Sequence, residues 1–133
     1  MEAAQEIALE PELRIRVVTA PYFVATKLEA FSGRGRGDYA GSHDLEDLLT
    51  VIDGRAAIVQ EIANVASLRS YIAEQFLALL KTPAFLDALP GHLLLDPSSQ
   101  APVIIAAFCW CIAVFLLLPQ IHSSRTPWPR IRK

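Results

Sequence analysis

"SHDLEDLLTVIDG", residues 42–54, reads as a helix before anything else is known of the chain. Leu45, Leu48, Leu49 and Ile52 recur at i, i+3, i+4 and i+7, the spacing that gathers apolar side chains on one face of a 3.6-residue helix. Ser42 or Asp44 can cap its start by accepting a bond from a backbone N–H that has no partner inside the helix. Asp53-Gly54 stops it. A helix with one apolar face needs neighbours to bury it, and the following sequence supplies them. Ile58, Ile62 and Val65 repeat the spacing, and "SLRSYIAEQFLALLK" (67–81) does so through Leu68, Ile72, Phe76, Leu79 and Leu80, with Ser67 as the expected cap. "TPAFLDALPGH" (82–92) is expected to form a last short turn of helix closed by Pro90-Gly91.

Upstream, "TAPYFVATKLEAF" (19–31) has Thr19 at a cap position and Pro21 in the first turn, where proline is tolerated, so a helix is expected from about Pro21 to Ser32. "GRGRGDYAGS" (33–42) holds four of the six glycines and reads as a loop, because fixing so many glycines in a regular element costs too much backbone entropy. "LRIRVV" (13–18) alternates apolar and basic residues and reads as a short strand with its arginines on one face. The expected fold is mainly α: a short N-terminal strand followed by a small helical bundle, without internal repeats.

At 133 residues and 53% hydrophobic composition, a folded body with a modest core is expected. The net charge of −2 argues against a general nucleic-acid binder, which needs a basic excess to displace counterions. That mean conceals an asymmetry. All 14 acidic residues lie at or before Asp96, whereas residues 119–133 carry Arg125, Arg130, Arg132 and Lys133 and no acid. Between these regions, residues 101–118 read "APVIIAAFCWCIAVFLLL", 18 residues without a charge. That is the lower limit for a membrane-spanning helix, and a basic segment follows it. A buried apolar C-terminal helix is the other reading of the same run. The N-terminus is acidic and lacks the pattern of a signal peptide, so cytoplasmic synthesis is expected, with a single-pass membrane protein as the alternative.

The chemistry-bearing residues concentrate between Lys27 and Asp47. Lys27, Arg34 and Arg36 could bind phosphates, and Asp44 and Asp47 share a helical face, whereas Asp44 and Glu46 point about 200° apart. The plainer alternative makes the arginines a solvated loop tip, Lys27 a surface residue, and the aspartates partners of the positive end of a helix dipole. "GRGRG" fits neither a dinucleotide fingerprint nor a phosphate-binding P-loop. His43-Asp44 would need more histidines in register than His92 and His122 to form a metal phosphohydrolase. Cys109, Cys111 and His122 fall short of a zinc site, and nothing supports a Ser-His-Asp triad.

"APYFVATKLEAFSGRGRGDYAGSHDLEDLLTVIDGR", residues 20–55, resembles the C-terminal half of the nucleotidyltransferase core of the AbiEii-type family, toxins of type IV toxin-antitoxin systems. A looser resemblance runs from about Leu13 to Gln100 and includes "LRSYIAEQ" and "ALPGHL". It implies a partial α+β nucleotidyltransferase fold, with residues 1–18 a remnant of its sheet and 19–97 its helical, nucleotide-side portion. It assigns nucleotide binding to Lys27 in "ATKLEA", and activity to Asp44 in the helix of form "(R/H)DLxD", with Asp47 as its helical neighbour. His43 stands where many members have arginine. Mg²⁺ and a nucleoside triphosphate are the implied cofactors; an antitoxin and a polyanionic acceptor such as transfer RNA, approached through Arg34 and Arg36, are the implied partners. The family's metal-binding Asp-x-Asp occurs nowhere in the 133 residues, so this chain is expected to be catalytically incomplete. Beyond Gln100 the resemblance ceases. A reading-frame shift or a fusion to a membrane anchor would each produce that change.

Overall fold

In the computed structural model, residues 3–35 and 37–92 are described; Arg36, the apolar run 101–118 and the basic tail lie outside the described residues. The chain opens with two antiparallel strands, β1 (Ala4–Glu10) and β2 (Leu13–Val18). Five α-helices follow: α1 (Ala20–Ala30), α2 (His43–Gly54), α3 (Ile58–Ala63), α4 (Ala66–Leu80) and α5 (Pro83–His92). Between α1 and α2 the backbone makes a π-helical turn at Phe31–Gly35. The described part is thus mainly helical, with a two-stranded antiparallel sheet at its N-terminal end.

The apolar faces expected from the sequence meet in one core. α1 contributes Val24 and Leu28, α2 contributes Leu45, Leu48, Leu49 and Ile52, α3 contributes Ile58 and Ile62, and all are at most 2% exposed. Ile72, Ala73 and Phe76 of α4 and Phe85 of α5 close this core from the other side. α1 lies against α2, α3 and α4, and α5 bridges α4 to α2. Among the described residues no helix is long and apolar enough to cross a membrane.

Four local expectations are corrected. β1 falls in the acidic N-terminal stretch, ahead of the single strand expected at 13–18. Its register sets Glu6 opposite Arg16 and Ile7 opposite Ile15, and Arg14 Nη1 donates to Glu6 Oε1 at 3.2 Å, so β2 provides the complement that β1 alone does not display. Pro11 sits in the turn joining the strands, where its fixed φ suits a reversal. The glycine-rich stretch is not wholly a loop, since its first three residues continue the chain from α1 as the π-helical turn. Val65, not Ser67, stands at the N-cap of α4, and Ser67 lies inside that helix. α5 is a ten-residue helix that runs through Pro90 rather than closing at it. Proline near the end of a helix removes one hydrogen bond of the final turn, a smaller disruption than in a helix interior.

The core predicts where substitutions are felt. Phe76→Ala should lower unfolding free energy by about 3–5 kcal/mol through lost burial and a residual cavity, measured by chemical denaturation. Leu86→Ala, at a site 41% exposed, should change it by less than about 0.5 kcal/mol.

Candidate functional site

The π-helical turn carries Arg34 to Asp44, the carboxylate that Lys27 of α1 also reaches. A π turn contains an extra residue relative to an α turn and so rotates the side chains that follow it. Phe31 stays buried at its start while Arg34 projects outward. Gly35 lies directly on the Phe31 ring, and a Cβ at that position would overlap it. Gly37 then adopts a φ of 86°, the left-handed region that glycine enters without steric cost. Asp38 accepts from Gly41 N at 2.9 Å, which closes the loop just before Ser42. Tyr39 anchors it from below, with its ring 5.4 Å from Phe31 and 6.3 Å from Phe85 between centroids, while its carbonyl meets the His92 ring.

Ser42 caps α2, its Oγ accepting from Leu45 N at 3.4 Å. The first turn of α2 therefore starts at a defined place and delivers Asp44 to the loop. Asp44 is the one buried charged residue among the described residues, at 6% exposed. Arg34 grips it with two bonds, Nε to Oδ2 and Nη2 to Oδ1, both 2.7 Å. Lys27 Nζ, coming from α1, donates to Asp44 Oδ1 at 3.1 Å and to Asp47 Oδ2 at 2.6 Å. The ammonium also lies 5.6 Å from the centroid of the Phe23 ring. Asp44 and Asp47, one helical turn apart, thus present their oxygens to one cation, whereas Glu46 turns away to His43 at 3.2 Å.

Lys27, Arg34, Asp44 and Asp47 therefore form one connected, formally neutral network, with Arg36 outside the described residues. The Arg34 side chain is 73% exposed while the Asp44 side chain is 8% exposed, so the carboxylate is shielded chiefly by the groups that bind it. The Arg34 hydrogen bonds, against an opposing cost of burial and with help from Lys27, hold the Asp44 carboxyl at about 2, below its ordinary 3.8. Asp47 first and Asp44 second push the Lys27 ammonium above its usual 10.5.

These facts limit the chemistry. A general base works best with a pKa near the working pH, and a carboxyl held at about 2 with both oxygens engaged by cations is poorly suited to take a proton. The residues do not fit a magnesium site either. Mg²⁺ is held through carboxylate oxygens, and here both oxygens of Asp44 and one of the two of Asp47 are engaged by Lys27 and Arg34. No group of three or more potential ligands gathers elsewhere among the described residues. The arrangement is suited to orienting cations. Asp44 fixes Arg34 by two of its five N–H donors, and the remainder of the fork faces solvent across a shallow concavity of about 300 Å³ lined by Arg34, Gly35, Asp38, Ser42, His43 and Asp44.

The π-helical turn and the Tyr39 anchor escape the sequence reading. A signal for the anchor was present in "GDYAG", an aromatic residue flanked by turn formers, but its two ring partners are distant in sequence. Comparison with known families, with characterised proteins and with solved structures finds no match to this chain.

Because the Asp44 carboxyl is depressed in the folded chain, its contribution to stability is complete above about pH 4 and is lost as pH falls through about 2. Asp44→Asn should remove that contribution at neutral pH and flatten the dependence of stability between pH 4 and 2, measured by thermal unfolding across the range. Gly35→Ala should displace Phe31 and lower the melting temperature, and it should weaken any anion binding that depends on Arg34.

Proposed function

We propose that this chain is the nucleotide-side portion of an AbiEii-like nucleotidyltransferase, and that it transfers nucleotides from a nucleoside triphosphate to an acceptor only when completed by the missing metal-binding half. The single observation that supports this reading is the convergence of Lys27 and Arg34 on Asp44. Lys27, which the resemblance ties to the nucleotide, Asp44, which it ties to activity, and Arg34, which it turns toward a polyanionic acceptor, come from α1, α2 and the π-helical turn and meet at one place. A lysine binds phosphate as a compact charge, and an arginine does so through a planar fork. Here both are oriented before any ligand arrives, which reduces the entropy lost on binding.

In this reading Lys27 engages the phosphates of the nucleotide, and the solvent-facing donors of Arg34 engage the phosphates or a polyanionic acceptor such as transfer RNA. Asp44 is a positioning residue that holds both cations, and Asp47 shares Lys27 with it. The absence of Asp-x-Asp from the sequence leaves the chain without the carboxylates that two-metal phosphoryl transfer requires. Nucleotide binding, not turnover, is therefore the activity expected of the chain alone.

Equilibrium binding of a nucleoside triphosphate to the full chain tests this. The wild type should bind with an affinity that falls as salt is raised. Lys27→Ala should weaken binding roughly 10- to 100-fold, the loss of one charge-assisted hydrogen bond to phosphate. Lys81→Ala, a basic residue at the far end of α4, should leave it unchanged. Absence of binding by the wild type, or equal binding by Lys27→Ala, would contradict the assignment.

A further inference from the structure

The hairpin leaves an apolar face in solvent. Ile7 is 36% exposed, Leu9 59%, Leu13 50% and Ile15 37%. Ile7 and Ile15 are register partners, alternation along β2 sets Leu13 on their side of the sheet, and Leu9 stands beside them at the irregularity where β1 brings Glu10 opposite Leu13. Gln5 and Val17 pair on the same face, and with Ile7 they form one wall of a groove of about 620 Å³. Pro21, Phe23 and Val51 stand on its other side. The strands contact each other extensively but pack broadly on no described helix. A two-stranded sheet is marginal in water unless its apolar face is covered, so this face calls for an occupant.

We propose that residues 101–118 of the same chain cover the apolar face of the hairpin and fill the groove beneath it. The first ground is chemical. Those 18 residues carry no charge and need apolar cover, and of the six large apolar residues exposed among the described residues, four, Ile7, Leu9, Leu13 and Ile15, lie on or beside this face of the hairpin. The second ground is reach. The His92 ring at the end of α5 meets the Tyr39 carbonyl, and the Tyr39 ring packs on Phe31, just beyond the last residue of α1. The groove opens at the other end of α1, at Thr19, Ala20 and Pro21. The 11 residues of α1 separate the two places by about 16 Å. Residues 93–100 provide eight residues between His92 and the apolar run, enough to extend up to about 26 Å. The run can therefore start at the groove.

Cys109 and Cys111 are the only cysteines of the chain and both lie within the run, so thiol reactivity of the full-length protein reports directly on its cover. If the run occupies the hairpin face, both thiols in the native protein should react at least about tenfold more slowly than in denaturant. Ile15→Arg places a charge in the middle of the face and should restore fast labelling. Leu9→Lys, at the more exposed end, should do the same if Ile15→Arg opens the hairpin itself. Native thiols that react at the denatured rate would overturn the proposal, as would protection untouched by both substitutions. Protection that rises with protein concentration would assign the face to a second copy. Protection seen only with phosphatidylcholine vesicles would assign the run to a bilayer. Each of these last two results also overturns it.

Discussion

Everything distinctive about the described site depends on one carboxylate. Asp44 accepts two hydrogen bonds from Arg34 and one from Lys27, and these draw together three segments that local sequence does not join. Without it, Lys27 would retain only Asp47, and Arg34 would stand alone on an exposed turn. An exposed ion pair contributes little because water and salt compete with it. Asp44 differs in being shielded and shared, so that its bidentate geometry restricts Arg34 to one orientation. The value of the network lies in that restriction more than in net stability, since burying charges carries its own cost.

The sequence displays the helical body well and the connections poorly, for physical reasons that differ by element. Leu45, Leu48, Leu49 and Ile52 announce α2 because burial of a single face enforces periodicity, and Ser42 announces its start because the cap is local. β1 does not announce itself. A strand with an acidic outer face and two large apolar residues resembles an irregular leader until Arg14, Arg16 and Ile15 are set opposite it. The π-helical turn is equally hidden, because it depends on Phe31 burying its ring against Gly35 while Tyr39 closes from the loop. Lys27, Asp44 and Asp47 stand out in the sequence as a cluster, and Asp44 and Asp47 as one helical face. That Asp44 is the hub, and a poor base, follows only from its partners.

The molecule divides into a closed and an open part. The helical body buries its own apolar faces, while no described helix packs broadly on the hairpin at its N-terminal end, whose exposed apolar residues stand beside an apolar groove. The site at Asp44 sits near the loop end of α1 and the groove at its opposite end, so the proposed nucleotide binding and the proposed cover of the hairpin can be measured separately.

The most direct test of the central role of Asp44 is a carbon-detected NMR titration of its side-chain carboxyl in the full chain. A transition at about 2, below the ordinary 3.8, is expected, since the carboxylate is held by Arg34 and Lys27 together. Arg34→Ala should move that transition upward, because the largest cause of the depression is lost. A wild-type carboxyl that titrates near its ordinary value, unaffected by Arg34→Ala, would contradict the network on which the site is built.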